Sequence, residues 1–111
     1  MKNKLLMLGM PALTVILALA AASQKSTSPD ANAVKIDNFT FSPATLTVSP
    51  GATVRWTNKD DVPHTVVSSD KAFTSNTLDT DQEFTYTFTK AGTYNYFCSI
   101  HPKMTATVVV K

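Results

Sequence analysis

Beyond residue 33, apolar and polar residues alternate along most of the chain, the period-two signature of half-buried strands. In "VKIDNFTF", Val34 and Ile36 share one face and Phe39 and Phe41 are in phase with each other, so a bulge at Asp37-Asn38 is expected to reset the register. "ATLTVSPGATVRWTN" supplies Leu46 and Val48, a turn at Ser49-Pro50-Gly51, then Val54 and Trp56. Pro before Gly suits the centre of a type II turn, where Gly accepts positive φ. Further on, Phe84, Tyr86 and Phe88 oppose Thr85, Thr87 and Thr89, and Lys90-Ala91-Gly92 turns the chain. Tyr94, Tyr96 and Cys98 then share a face, and "TATVVVK" is the last strand. Trp56, Tyr86, Phe88 and Tyr94 read as core residues by this alternation. The polar stretch from Ser68 to Gln82 has no clear period. No segment sustains a helical period and no repeat is visible, so the expectation is an all-β chain folded as an antiparallel sandwich or barrel of roughly seven or eight strands.

Ahead of the strands, basic "MKNK", an apolar run from Leu5 to Ala22 and small residues in "ALAAAS" have the layout of a secretory signal peptide. The expected organisation is a signal peptide over 1–22, a flexible polar leader over 23–33 ("SQKSTSPDANA") and one domain over 34–111. An uncleaved membrane anchor is the rival reading, although Gly9 and Pro11 interrupt the run. Cleavage leaves about 90 residues, enough for one domain with a modest core. The formal charge of +2 includes Lys2 and Lys4, so the exported part is near neutral. That argues against nucleic acid as a partner, since binding it takes a basic stripe to offset phosphate charge.

The chain has a single cysteine, which gives an exported protein no internal disulfide and leaves a thiol open to oxidation unless something protects it. Cys98 stands in "YFCSIHPKM", three residues before His101 and six before Met104. That spacing is too tight for three ligands on one extended strand, but it works on a loop leaving the strand at Cys98 and curling over an end of the sandwich, with Pro102 restricting the curl. The only other histidine, His64, follows a turn in "DDVPHTVVS" and can sit at an end of the sandwich too. A thiolate and two imidazoles in a near-trigonal plane, with a weak axial thioether, form the type 1 blue-copper arrangement. Met is a poor zinc ligand and copper stands above zinc in affinity, so one copper ion is the expected cofactor. Taken singly, each of these four residues is an ordinary surface or core side chain, and it is their joint placement that carries the reading. The acidic residues Asp60, Asp61, Asp70, Asp79 and Asp81 read as solvated turns, with the alternative that Asp60-Asp61, which flanks His64 in sequence, sits near the site.

From about Val34 to Lys111 the chain resembles the cupredoxins, and among them the small plastocyanin/amicyanin-like bacterial proteins. The stretches that carry the resemblance are "FTFSPATLTVSPGATVRWTNKDDVPHTV" and "FTKAGTYNYFCSIHPKMTATVVV". It implies a Greek-key β-sandwich of about eight strands and one-electron transfer. His64, Cys98 and His101 would be equatorial ligands and Met104 the axial one. It further implies that the His101 ring reaches the surface through an apolar patch including Pro63, Pro102 and Ile100, where a redox partner (a cytochrome, dehydrogenase or oxidase) docks on a monomer. The expected location is periplasmic or otherwise extracytoplasmic.

Three positions depart from the family pattern. Thr65 stands where Asn often braces the ligand loop, promising a shorter side-chain tie. Ile100 replaces a common Pro and keeps an N–H for a second hydrogen bond to the thiolate, which favours Cu(I) and a higher potential. Lys103 puts a charge where the loop is commonly apolar, suited to steering an acidic partner.

Other classes fit less well. A Cys–His nucleophile needs an oxyanion hole and an orienting group that nothing marks, and a copper oxidase or reductase needs a second metal site; the expectation is therefore no enzyme and no catalytic residue. Copper carriage, in which the domain buffers copper or delivers it to a partner, uses the same ligands and is the alternative function. A metal-free adhesion sandwich is separated from both by metal content.

Overall fold

The computed structural model of the chain describes residues 32–111; the signal-like run and the leader up to residue 31 lie outside the described residues. Eight strands follow in order: β1 (Ala33–Asp37), β2 (Thr40–Ser42), β3 (Thr45–Val48), β4 (Ala52–Asn58), β5 (Val67–Ser68), β6 (Glu83–Phe88), β7 (Gly92–Phe97) and β8 (Thr105–Val110). They form two four-stranded sheets, ordered β2-β1-β4-β6 and β3-β8-β7-β5, and the described residues contain no α-helix. The all-β sandwich of about eight strands is therefore borne out, with strands from both halves of the chain interleaved as in a Greek key.

Alternation along the strands does what the sequence implies. β4 buries Val54, Trp56 and Asn58, while β8 buries Ala106, Val108 and Val110. Trp56 is fully buried at the centre, its ring 5.5 Å from Phe84, 5.6 Å from Phe73 and 5.5 Å from Tyr96. Phe88 is buried too, whereas Tyr86 and Tyr94 are only half-buried and pack against the core. The Pro50-Gly51 turn closes with Ala52 N–H donating to Ser49 O at 3.1 Å, and Gly51 has the positive φ of 94° that a type II turn requires.

Two expectations need correction, and one stretch without a period gains its structure. The sheets are not wholly antiparallel: β1 runs parallel to β4 and β3 parallel to β8. In each pair the chain visits the other sheet in between and returns in the same direction. The bulge at Asp37-Asn38 is instead a tight hairpin: Asp37 pairs with Thr40, leaving Asn38 and Phe39 as a two-residue loop. Finally, the polar stretch from Ser68 to Gln82 is pinned to the sandwich: Ser68 N–H donates to Phe73 O at 2.9 Å and Ser75 N–H to Val66 O at 2.8 Å. Phe73, hidden in that stretch, is buried and packs 5.5 Å from Phe88.

Candidate metal centre

The four sequence-nominated residues come from two connections at one end of the sandwich. The first leaves β4 at Asn58, which is fully buried and whose amide is fully engaged. Its Nδ2 donates to Val62 O at 2.9 Å and to Leu78 O at 2.8 Å, while its Oδ1 accepts from Asp60 N–H at 2.8 Å. This fastens the 59–63 loop and delivers His64, whose backbone exchanges two hydrogen bonds with Leu78, of 3.1 and 2.7 Å. The imidazole is wholly buried.

The second connection leaves β7 at Cys98 and explains the spacing of three. His101 N–H donates to Cys98 O at 3.2 Å and Met104 N–H to His101 O at 2.9 Å, so two successive turns bring positions 98, 101 and 104 round together. Cys98 N–H then closes the loop on Met104 O at 3.1 Å. His101 is half-buried and Met104 buried. Phe39, Ile100, His101, Pro102, Lys103 and Met104 line a shallow depression on this end, which Pro63 does not join.

Cys98 Sγ stands 3.6 Å from His64 Nδ1 and 3.7 Å from His101 Nδ1, and all three donor atoms lie within 4.8 Å of one another. Ligand bonds of about 2.0–2.3 Å, splayed at roughly 120°, separate donors by about 3.7 Å, which both sulfur–nitrogen distances match, so the cluster is of a size to hold a single ion. Burial alone would raise the Cys98 thiol. Hydrogen bonds to the sulfur, that of the Thr65 N–H first and more weakly that of the Ile100 N–H, outweigh it and bring the thiol down to about 6. A soft thiolate is thus available at neutral pH, which is the state a metal needs.

The residues around these donors explain how they are held. Thr65 N–H donates to Cys98 Sγ at 3.3 Å and its Oγ1 lies 3.8 Å from the same sulfur. That hydroxyl also accepts from Ser99 N–H at 2.7 Å and sits 2.7 Å from Ser99 Oγ. The short tie expected of Thr65 therefore does brace the ligand loop, and its hydroxyl stands near the sulfur in addition to the weaker Ile100 N–H. On the far side of His64, Asp60 Oδ2 is 2.9 Å from Nε2 and also accepts Phe39 N–H at 2.9 Å.

Asp60 was expected among the solvated turn acids; it is buried instead, its carboxyl held below the usual range first by the Phe39 N–H and then by His64. Its one sequence signal is the four-residue offset from His64. Phe39 is the member that the sequence alone does not mark, since its phase with Phe41 assigns it to a strand face. Its ring meets His64 and His101 edge-on at 5.5 and 4.9 Å.

The donor chemistry fits copper: thiolate and imidazoles are gathered in one buried cluster, with a thioether on the same closed loop. Comparison with known proteins agrees. The chain is 34% identical over 87 residues to an amicyanin of Paracoccus versutus, covering 74% of this chain and 66% of that relative's length. In structure it is similar to a novel purple cupredoxin from Nitrosopumilus maritimus, at a TM-score of 0.69 and 34% identity over 71% of this chain and 98% of that one. It is similar as well to an amicyanin mutant in its reduced Cu(I) form, at a TM-score of 0.67 and 33% identity over 71% of this chain and 80% of the other. The family model for a cupredoxin-like domain matches residues 9–110, and the chain belongs to the cupredoxin-like family.

Proposed function

We propose that the protein is an exported type 1 copper protein that carries single electrons between redox proteins, with His64, Cys98 and His101 as equatorial ligands and Met104 as the axial one. The observation that carries this is the three-donor cluster, assembled from two connections and buried apart from His101. When bound, copper supplies a one-electron couple, Cu(II)/Cu(I).

The chain's own residues supply the rest. Thr65 and the two turns of the 98–104 loop hold the sulfur and His101 in fixed positions. Asp60 keeps the proton on Nε2 of His64, so the Nδ1 lone pair faces the cluster. The interior excludes water, and little has to rearrange when the charge changes. His101, half-buried beside exposed Ile100 and Pro102, is the donor nearest solvent and is the point of electron entry and exit. A cytochrome, dehydrogenase or oxidase with an acidic rim fits that face, since Lys103 stands exposed at its edge. Export to the periplasm follows from the signal-like run over 1–22, and no catalytic residue is assigned.

The test is the visible spectrum after adding Cu(II) to the purified protein and removing the excess. An intense thiolate-to-copper band that bleaches on reduction and vanishes in Cys98→Ser is expected. A colourless protein holding zinc or no metal overturns the reading. Ready handover of copper to a partner apoprotein, in place of fast redox with retained metal, would instead assign carriage.

A further inference from the structure

The hairpin between β1 and β2 contains a residue that its geometry disfavours. Asn38 and Phe39 have positive φ of 53° and 58°. Two consecutive positive values make a type I′ turn, which hairpins ordinarily fill with Asn-Gly. Asn38 suits its place. Phe39 does not: a bulky side chain in the left-handed region is strained, and such strain persists only where the surroundings enforce it.

The surroundings here are the metal centre. Asp60 Oδ2 accepts Phe39 N–H at 2.9 Å, and the same oxygen is 2.9 Å from His64 Nε2. Burial does not explain the choice of residue, because Phe39 remains 47% exposed. Its ring instead stands at 87° to the His64 imidazole and at 89° to that of His101. The two imidazoles are unequally held. His64 is anchored by Asp60 on its far nitrogen, whereas the one polar contact of the His101 ring among the described residues is between Nδ1 and Cys98 Sγ, at 3.7 Å. The Phe39 ring, its centroid 4.9 Å from that of His101 and perpendicular to it, is thus a main constraint on that ring from the solvent side.

We propose that Phe39 is a positioning residue of the metal centre: the Asp60-locked turn holds its ring against both imidazoles and keeps His101 in its ligating orientation. The role deepens the copper reading and rests on it, since an orientation matters to the extent that His101 is a ligand. Gly at this position accepts the left-handed backbone without strain, so Phe39→Gly removes the ring while leaving the turn intact. Tyr keeps the aromatic edge and serves as the conservative variant.

Two readouts decide the proposal in the full chain. One is the rate at which Cu(I)-loaded protein yields its metal to excess bathocuproine disulfonate. The other is the set of His101 imidazole resonances in the metal-free protein, followed by NMR. Phe39→Gly is expected to release copper about tenfold faster, on the scale of losing a group that orients a ligand. It should also show His101 resonances broadened by ring motion, with a thermal midpoint no lower than the parent's. Phe39→Tyr should match the parent in both readouts. Release at the parental rate with unchanged His101 resonances would overturn the proposal and leave Phe39 as a surface residue. A marked loss of stability in Phe39→Gly would overturn it too, because the ring would then be acting as packing for the fold. Should the parent take up no copper, the copper reading fails by itself, and the metal-free resonances still decide whether Phe39 holds His101.

Discussion

His64 presents Nε2 to Asp60 Oδ2 at 2.9 Å while its Nδ1 faces Cys98 Sγ at 3.6 Å, so the two nitrogens of one buried ring have separate duties. An ionised carboxylate only accepts hydrogen bonds, and Asp60 is held ionised by the Phe39 N–H and by His64 itself. The proton of the neutral imidazole therefore sits on Nε2, and Nδ1 keeps its lone pair for the cluster.

Weakening that contact should show in the metal. Replacing Asp60 by Asn makes the partner of Nε2 neutral and the imidazole a poorer donor, which penalises Cu(II) more than Cu(I). Asp60→Asn is expected to lower Cu(II) affinity by about 10–100-fold and to raise the reduction potential. Competition titration and voltammetry measure both. Asp61→Asn, at the exposed neighbour, is the control that should change neither. An unaltered affinity and potential in Asp60→Asn would restrict the carboxylate to shaping the loop.

Thr65 has one hydroxyl and two clients, Cys98 Sγ at 3.8 Å and Ser99 at 2.7 Å. Thr65→Val keeps the shape and removes both contacts. Ser99 N–H loses its acceptor at a cost of about 1 kcal/mol, and the sulfur, with one donor fewer, binds Cu(II) more strongly relative to Cu(I). A lower potential and a shifted thiolate-to-copper band are expected, with Thr65→Ser close to the parent. If the Val variant keeps the parental potential, the Thr65 N–H at 3.3 Å alone tunes the sulfur.

What was legible in the sequence was whatever repeats locally or is scarce. The period-two faces of Phe84, Tyr86 and Phe88, and of Tyr94, Tyr96 and Cys98, survive in the structure because neighbouring residues determine them. The soft donors were visible because there is one Cys and there are two His to place. The rest depends on partners distant in sequence. Proximity to His64 marks Asp60 and Asp61 equally, and it is the N–H of Phe39, 21 residues away, that singles out Asp60. The Asn38-Phe39 hairpin carries no turn signal in the sequence, because Phe stands where Gly ordinarily marks such a turn. Phe73 was overlooked because the polar residues around it bond back to Val66 and Ser68 and form no strand period of their own.

Asn58 makes a stability prediction that does not involve copper. Its amide satisfies Val62 O, Leu78 O and Asp60 N–H with no solvent exposure, joining the loop before His64 to the segment across from it. Asn58→Ala takes this partner from Val62 O and Asp60 N–H, leaves Leu78 O with the His64 N–H alone, and opens a small void. The expected loss is about 2–4 kcal/mol, read from denaturant unfolding of the metal-free protein. A loss under about 0.5 kcal/mol, the range of ordinary surface changes, would mean that water replaces the amide at this site.

The lowered Cys98 thiol makes the stability of the metal-free protein depend on pH, and the sign follows from comparing the two states. In the folded chain the thiol titrates at about 6. In the unfolded chain it returns to about 8.5. Between these values the unfolded state binds more protons at Cys98 than the folded state, so this residue's contribution to stability grows as pH rises. It is complete above the unfolded value and is lost as pH falls through the folded one. Urea midpoints of the metal-stripped protein, measured from pH 6 to 9, should carry this upward trend, and the difference between the parent and Cys98→Ala isolates it from other titrating groups. A difference that stays constant across the range would mean that the hydrogen bonds to the sulfur, that from Thr65 first, do not stabilise the thiolate over the thiol. The metal would then have to displace the thiol proton itself on binding.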